Sequence, residues 1–329
     1  MNNQCASEIA LMNIGLQTSD ISRELRDYLL VYYIRQVELK ISAEYSFGLM
    51  RTPVHLCVGQ EAIPTGVSNY LFQIDKVFSN HRSHGHYLAK GGNLESLFAE
   101  LLGRETGCAK GRGGSQHLVD LSANFIASAP ILGGTVPIAT GAAFSNSLNR
   151  QSGIVVVYVG DAVLEEGVLY ESLSFASLKS LPILYVVENN RLSVHTFIEN
   201  RQPKRKLTDI GKAFGLKSIE VDGNDIVEIS SACQTATKIL REERRPVVMF
   251  CDTYRHLEHV GPNSDFDLGY RSIEGDRGWI DRDPLALAKK YTQSSGYSEV
   301  EVREKFEGVI DSYILSSWKK AIDSKEANV

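Results

Sequence analysis

Asp161 and the pair Asn189-Asn190 are the residues whose types and spacing could do chemistry. Asp161 follows Gly160 at the end of the apolar run Ile154 to Val159, and Asn190, 29 positions on from Asp161, closes a second apolar run. A carboxylate and an amide oxygen brought side by side in loops are hard ligands, suited to magnesium or calcium rather than zinc. Free backbone amides in the turn Gly160, Asp161, Ala162, Val163 suit phosphate oxygens bound to the same ion. The local chemistry suggests a metal-bridged diphosphate. The alternative is a strand-helix-strand unit in which Asp161 caps a helix and the two Asn form a polar turn.

A second polar knot, Ser79-Asn80-His81-Arg82-Ser83-His84-Gly85-His86, crowds three imidazoles and a guanidinium between helical patterns. The planar fork of Arg82 suits phosphate, and His84 and His86 are types that donate hydrogen bonds or exchange protons. A metal site built from His81, His84 and His86 competes with this reading, although nothing in the spacing fixes its geometry. His55, alone in His55-Leu56-Cys57-Val58-Gly59-Gln60-Glu61-Ala62, reads by itself as structural. The glycine-rich basic stretch Gly107 to His117 follows no β-branched strand and carries neither nucleotide fingerprint, so nucleotide binding there is disfavoured.

These groups need elements to hold them. Ile154 to Val159 is an unbroken β-branched run, as in a strand buried on both faces of a parallel sheet. Val168, Leu169, Leu173, Ala176 and Leu178 recur near helical spacing between Glu165 and Ser180, and Pro182 precedes a second strand, Ile183 to Val187. In such a unit ligands bind outside the carboxyl ends of the strands, where Asp161 and Asn190 fall. Further on, a helix from Thr208, capped by Thr208 itself, precedes a strand Ser218 to Val221, a helix Asp225 to Arg241 and a strand Val247 to Asp252. Asp20 or Ser22 caps a long helix with an apolar stripe from Leu25 to Val37, after a mobile start over residues 1–19. Val194 to Arg205 reads as a mobile loop, its basic cluster Arg201 to Lys206 as solvated, and the tail Asp283 to Lys325 as helical cover. The fold class is α/β, a mainly parallel sheet flanked by helices, with residues 20–329 as one domain.

Composition narrows the classes. A formal net charge of −5 gives no field for nucleic acid, and no apolar run approaches a membrane span. The N-terminus has neither a signal-peptide pattern nor transit-peptide charge, which points to the cytoplasm. The five cysteines are scattered, without CxxC spacing, so neither disulfides nor structural zinc is expected.

Gly160-Asp161-Ala162 followed by Glu188-Asn189-Asn190 resembles the thiamine-diphosphate motif of the α subunits of 2-oxo acid dehydrogenase E1 components, a family that includes pyruvate, branched-chain 2-oxo acid and acetoin dehydrogenases. The spacing lies inside that motif's usual range, with Ala162 where the family usually has Gly. The resemblance runs from about Tyr28 to beyond Asp283 and includes His55 to Ala62, the knot around Arg82 in its acetoin-dehydrogenase form, the loop Ala129 to Gly134, and Arg255-His256-Leu257-Glu258-His259.

It implies thiamine diphosphate with Mg2+ held by Asp161, Asn190 and the Leu192 carbonyl. It also implies Arg82 on the diphosphate with His81 beside it, Arg255 near the diphosphate, and His55 at the active-site entrance. The Pro130 carbonyl and Leu132 amide would receive the aminopyrimidine, with Leu132 as the wedge that bends the cofactor. His259 would be the catalytic His, with His55 and His84 as further candidates. Val260 stands where mitochondrial members carry a phosphorylatable Ser, so that control should be absent. The glutamate that activates the cofactor belongs to a β subunit, so the chain alone should be inactive and an α2β2 heterotetramer is expected. The implied reaction is decarboxylation of a 2-oxo acid, or cleavage of acetoin, with acyl transfer to lipoamide on an E2 acyltransferase. Departures at Leu257-Glu258 and Gly261-Pro262-Asn263 keep a second class open, a two-subunit carboligase of branched-sugar or secondary metabolism. A silent binding protein would require loss of the metal ligands, and both side-chain ligands are present.

Overall fold

A computed structural model describes residues 4–50 and 52–328. Its strands are β1 (Lys76–Ser79), β2 (Phe125–Ser128), β3 (Val155–Gly160), β4 (Ile183–Asn189), β5 (Leu192–Ser193), β6 (Thr196–Phe197), β7 (Lys217–Asp222) and β8 (Val247–Asp252). Six of them form one sheet in the order β2-β1-β3-β4-β8-β7, every pair parallel. β5 and β6 make a short antiparallel hairpin.

Because successive side chains on a strand point to opposite faces, an apolar run without alternation must be covered on both. Val156, Tyr158, Leu184, Val186, Val247 and Met249 face one core, and Val155, Val157, Val159, Ile183, Tyr185, Val187 and Phe250 face the other. Helices Thr135–Leu148 and Gly167–Leu178 close the second face through Val136, Ala139, Ala143, Leu169, Leu173 and Ala176. On the first face Ile226–Lys238 packs on β7 and β8, and Arg23–Tyr45 and Gly308–Asp323 extend the same apolar core outward by packing on neighbouring helices. Truncating Leu173 to Ala would cost about 2–5 kcal/mol. Among the described residues no helix is long and apolar enough to cross a membrane.

Three expectations are corrected. The start is not wholly loose: Ala6–Asn13 is a helix with Ala6, Ala10 and Leu11 buried, opened by a capping box between Cys5 and Glu8. The Ala6 amide donates to the Leu71 carbonyl at 2.8 Å, and Arg26 pairs with Glu8. Thr208 is the first residue inside its helix, not a side-chain cap. Val194 to Arg205 is not an unpatterned loop: it carries β6 and the turn Ile198–Asn200, with Arg191 paired to Glu199 across it. Ser22 does cap the long helix, accepting from the Leu25 amide at 3.3 Å.

The glycine-rich stretch folds around one side chain. Glu100 is buried, and its carboxylate accepts the amides of Ala109 (2.7 Å), Gly111 (2.8 Å), Gly113 (2.6 Å) and Gly114 (3.1 Å). Amides satisfied in this way are not available to a phosphate.

Candidate active site

The carboxyl ends of β1, β2, β3 and β4 open onto a pocket of about 180 Å³. Parallel strands deliver their following loops to one edge of the sheet, so residues distant in sequence converge there. β1 leads to Asn80, His81 and Arg82, β2 to Pro130 and Leu132, β3 to Gly160, Asp161 and Ala162, and β4 to Asn190 and Leu192; His55 and His259 complete the wall from two further loops.

Asp161 is buried, and burial raises its carboxyl above the ordinary range against the opposing pull of Arg201. Arg201 donates to Asp161 and Glu165 together. It was expected in a solvated cluster; instead its guanidinium turns inward because a buried carboxylate without a countercharge is costly. The Asn190 amide oxygen accepts the Leu192 amide at 3.1 Å, and its nitrogen donates to Gln60 at 3.3 Å. Asn189 is spent elsewhere, donating to Asp252 at 2.6 Å. A Cβ on Gly160 would meet nothing within 4 Å, so the strand end is open where a phosphate would need room. Ala162 has an ordinary negative φ, so its backbone does not demand the family's glycine.

Arg82 is buried and donates to the Leu56 carbonyl and, at 3.3 Å, to the His259 carbonyl. Among the described residues no carboxylate lies within ion-pair distance of it. Burial, with Arg255 nearby, lowers it to about 10. A buried guanidinium on a pocket wall without an anionic partner is a ready site for a phosphate group. Together with the oxygen donors of Asp161 and Asn190, this donor set fits a diphosphate bridged by a hard divalent ion.

His55, His81 and His259 meet edge to face, with ring centroids 4.6, 5.0 and 5.4 Å apart. Burial is the main reason that all three are neutral, His55 at about 2 and His81 and His259 at about 3, with the Arg82 charge adding to it.

Three anticipated site residues do not line the pocket. His84 is fully buried between Glu38 and Ser115, each at 2.9 Å, which leaves no ring nitrogen free for catalysis. Val163 is packed in the apolar core. Arg255 lies beneath the loop, paired with Asp265 at 3.2 Å and with the Tyr270 hydroxyl at 3.0 Å. Arg271 grips the other oxygen of Asp265 with its Nε at 2.7 Å, so the segment that carries His259 is closed by one carboxylate between two guanidiniums. His86 is likewise occupied, by Ser79 at 2.7 Å and Glu188 at 3.0 Å, and its ring stacks on Tyr158. Gln60, Gln116 and Glu188, to which the sequence assigns no role of their own, also line the pocket. The Gln116 amide lies 3.1 Å from His55 Nδ1.

Comparison with known proteins gives the family. The family model of the dehydrogenase E1 component matches residues 31–329. The pyruvate dehydrogenase E1 component subunit alpha of Rickettsia felis is 33% identical over 283 residues, covering 86% of this chain and 85% of that one. The subunit of the same name from Rickettsia bellii is 32% identical over 305 residues (92% and 90%), and that from Zymomonas mobilis 32% over 314 residues (95% and 86%). With a six-stranded parallel α/β fold, a pocket at its strand ends and a family match over most of its length, the chain belongs to the dehydrogenase E1 component family.

Proposed function

We propose that the chain is the α subunit of a thiamine-diphosphate-dependent 2-oxo acid dehydrogenase, holding the cofactor's diphosphate through Mg2+. The observation that carries this reading is Arg82, a buried cation without a carboxylate partner among the described residues, on the same pocket wall as Asp161 and Asn190. Asp161, Asn190 and the Leu192 carbonyl would hold the ion, and Arg82 the phosphate oxygens. Pro130 and Leu132 border the side where the pyrimidine would lie. The chemistry supplied by bound thiamine diphosphate is nucleophilic addition to a keto carbon and acceptance of the electron pair released by decarboxylation.

The protein's own part is to orient, exclude water and handle protons. Neutral His259 can accept a proton, or carry one from its ring N–H, at the mouth of the pocket. His55 and His81 pack against it and hold the ring in place. Arg201 must yield or share Asp161 when a divalent ion enters. The glutamate expected to activate the pyrimidine would come from a β subunit, giving an α2β2 assembly.

The test is co-expression with a β partner, followed by assay of pyruvate, branched-chain 2-oxo acids and acetoin, with a lipoyl domain or an aldehyde as acceptor. Acylation of the lipoyl domain supports the dehydrogenase. A new carbon–carbon bond with the aldehyde, and no lipoyl acylation, would replace it with the carboligase. Robust turnover by the chain alone would contradict the β requirement.

A further inference from the structure

We infer that His55, His81 and His259 form a binding site for a transition-metal ion of the zinc type, distinct in chemistry from the oxygen ligands of Asp161 and Asn190. One ring nitrogen from each lies within 4.8 Å of the others. Imidazole nitrogens sit about 2.0–2.1 Å from zinc, hence about 3.3 Å from one another in a tetrahedron. The three rings must therefore close by up to about 1.5 Å, within reach of small side-chain rotations.

Several features favour ligation. Burial keeps all three imidazoles in the neutral form that binds metal. They border an open pocket, which leaves a fourth position for water, the arrangement of three-ligand zinc sites. Metal-bound imidazoles are oriented by an acceptor at the other ring nitrogen, and the Gln116 side chain lies 3.1 Å from His55 Nδ1. Turned over about its last bond, that amide presents its oxygen and leaves Nε2 of His55 for the ion. His84 and His86 cannot compete, because Glu38 and Ser115, and Ser79 and Glu188, already hold their nitrogens. Arg82 is the opposing charge: its Nη2 is 3.3 Å from the His259 carbonyl and 3.5 Å from Nδ1. Binding should therefore be weaker than at a dedicated structural zinc site. An ion held there would immobilise His259 and block the pocket; this inhibitory consequence rests on the proposed function, whereas the binding itself does not.

Cobalt(II) titration of the full chain, without magnesium or thiamine diphosphate, tests the site through its visible absorption. Wild type should develop the intense bands of tetrahedral cobalt at one equivalent, and added zinc should remove them. His81→Gln should abolish the bands, and the exposed His117→Gln should leave them unchanged. Gln116→Leu should weaken binding by about ten- to a hundredfold, with Gln116→Glu retaining it. Absence of tetrahedral bands in wild type, or their survival in His81→Gln, would overturn the inference. Calorimetry with magnesium and thiamine diphosphate on the same preparation reports the proposed cofactor site separately, so the two readings can fail independently.

Discussion

Arg201 donates to Asp161 from a side chain that is 9% exposed, against 2% for the carboxylate, and its other terminal nitrogen holds Glu165. A guanidinium just past the turn that follows the β5–β6 hairpin thus supplies the positive charge that a divalent ion would bring. We predict that Arg201→Ala, without magnesium, lowers stability by about 3 kcal/mol, because it leaves Asp161 buried without a countercharge. Magnesium with thiamine diphosphate should raise the melting temperature of the variant more than that of wild type. An equal rise in both would show that Arg201 and the ion do not compete for Asp161.

The three imidazoles give a pH prediction with a definite sign. Their folded values, about 2 for His55 and about 3 for His81 and His259, lie below the ordinary 6.5. Between these values the unfolded chain binds more protons, so their contribution to stability is complete above pH 6.5 and is lost as pH falls toward 3. Ring nitrogen resonances of the three should keep neutral-form shifts from pH 8 to pH 5. A ring that titrates near 6.5 would show that the cluster is more open to water than its packing indicates.

Glu100 should behave as a structural centre. Glu100→Ala removes the shared acceptor of four amides, and unsatisfied buried donors cost about 1–3 kcal/mol each when water cannot reach them. We predict a loss of at least about 3 kcal/mol in denaturant melts. A loss below about 1 kcal/mol would mean that water replaces the carboxylate.

The strand-helix-strand unit was legible because its signals are local: a β-branched run, a helical repeat, and Pro182 just before Ile183. The pocket was legible at Asp161, Asn190 and Arg82, since strand ends in a parallel sheet share an edge. What resisted reading depends on long-range partners. His81, His84 and His86 cluster in sequence, but the short helix His84–Ala89 turns the last two into separate buried networks, and His81 instead meets His55 and His259. Arg201 reads as one cation in a basic run; only the fold brings it to a carboxylate 40 residues earlier. Glu100 sits in an ordinary amphipathic helix, and nothing nearby announces that a glycine loop will wrap it. The Ala6–Asn13 helix was missed because its buried face is mostly small, Ala6, Ser7 and Ala10 beside Leu11.

Thiamine diphosphate affinity, measured by calorimetry on the chain assembled with its β partner, tests the central claim most directly. Binding should require magnesium. Asp161→Ala and Arg82→Met should each weaken it by about 2–5 kcal/mol, at least thirtyfold, because each removes one side of a buried charge pair. Wild-type affinity in both variants, or tight binding with magnesium chelated, would contradict a metal-bridged diphosphate in this pocket.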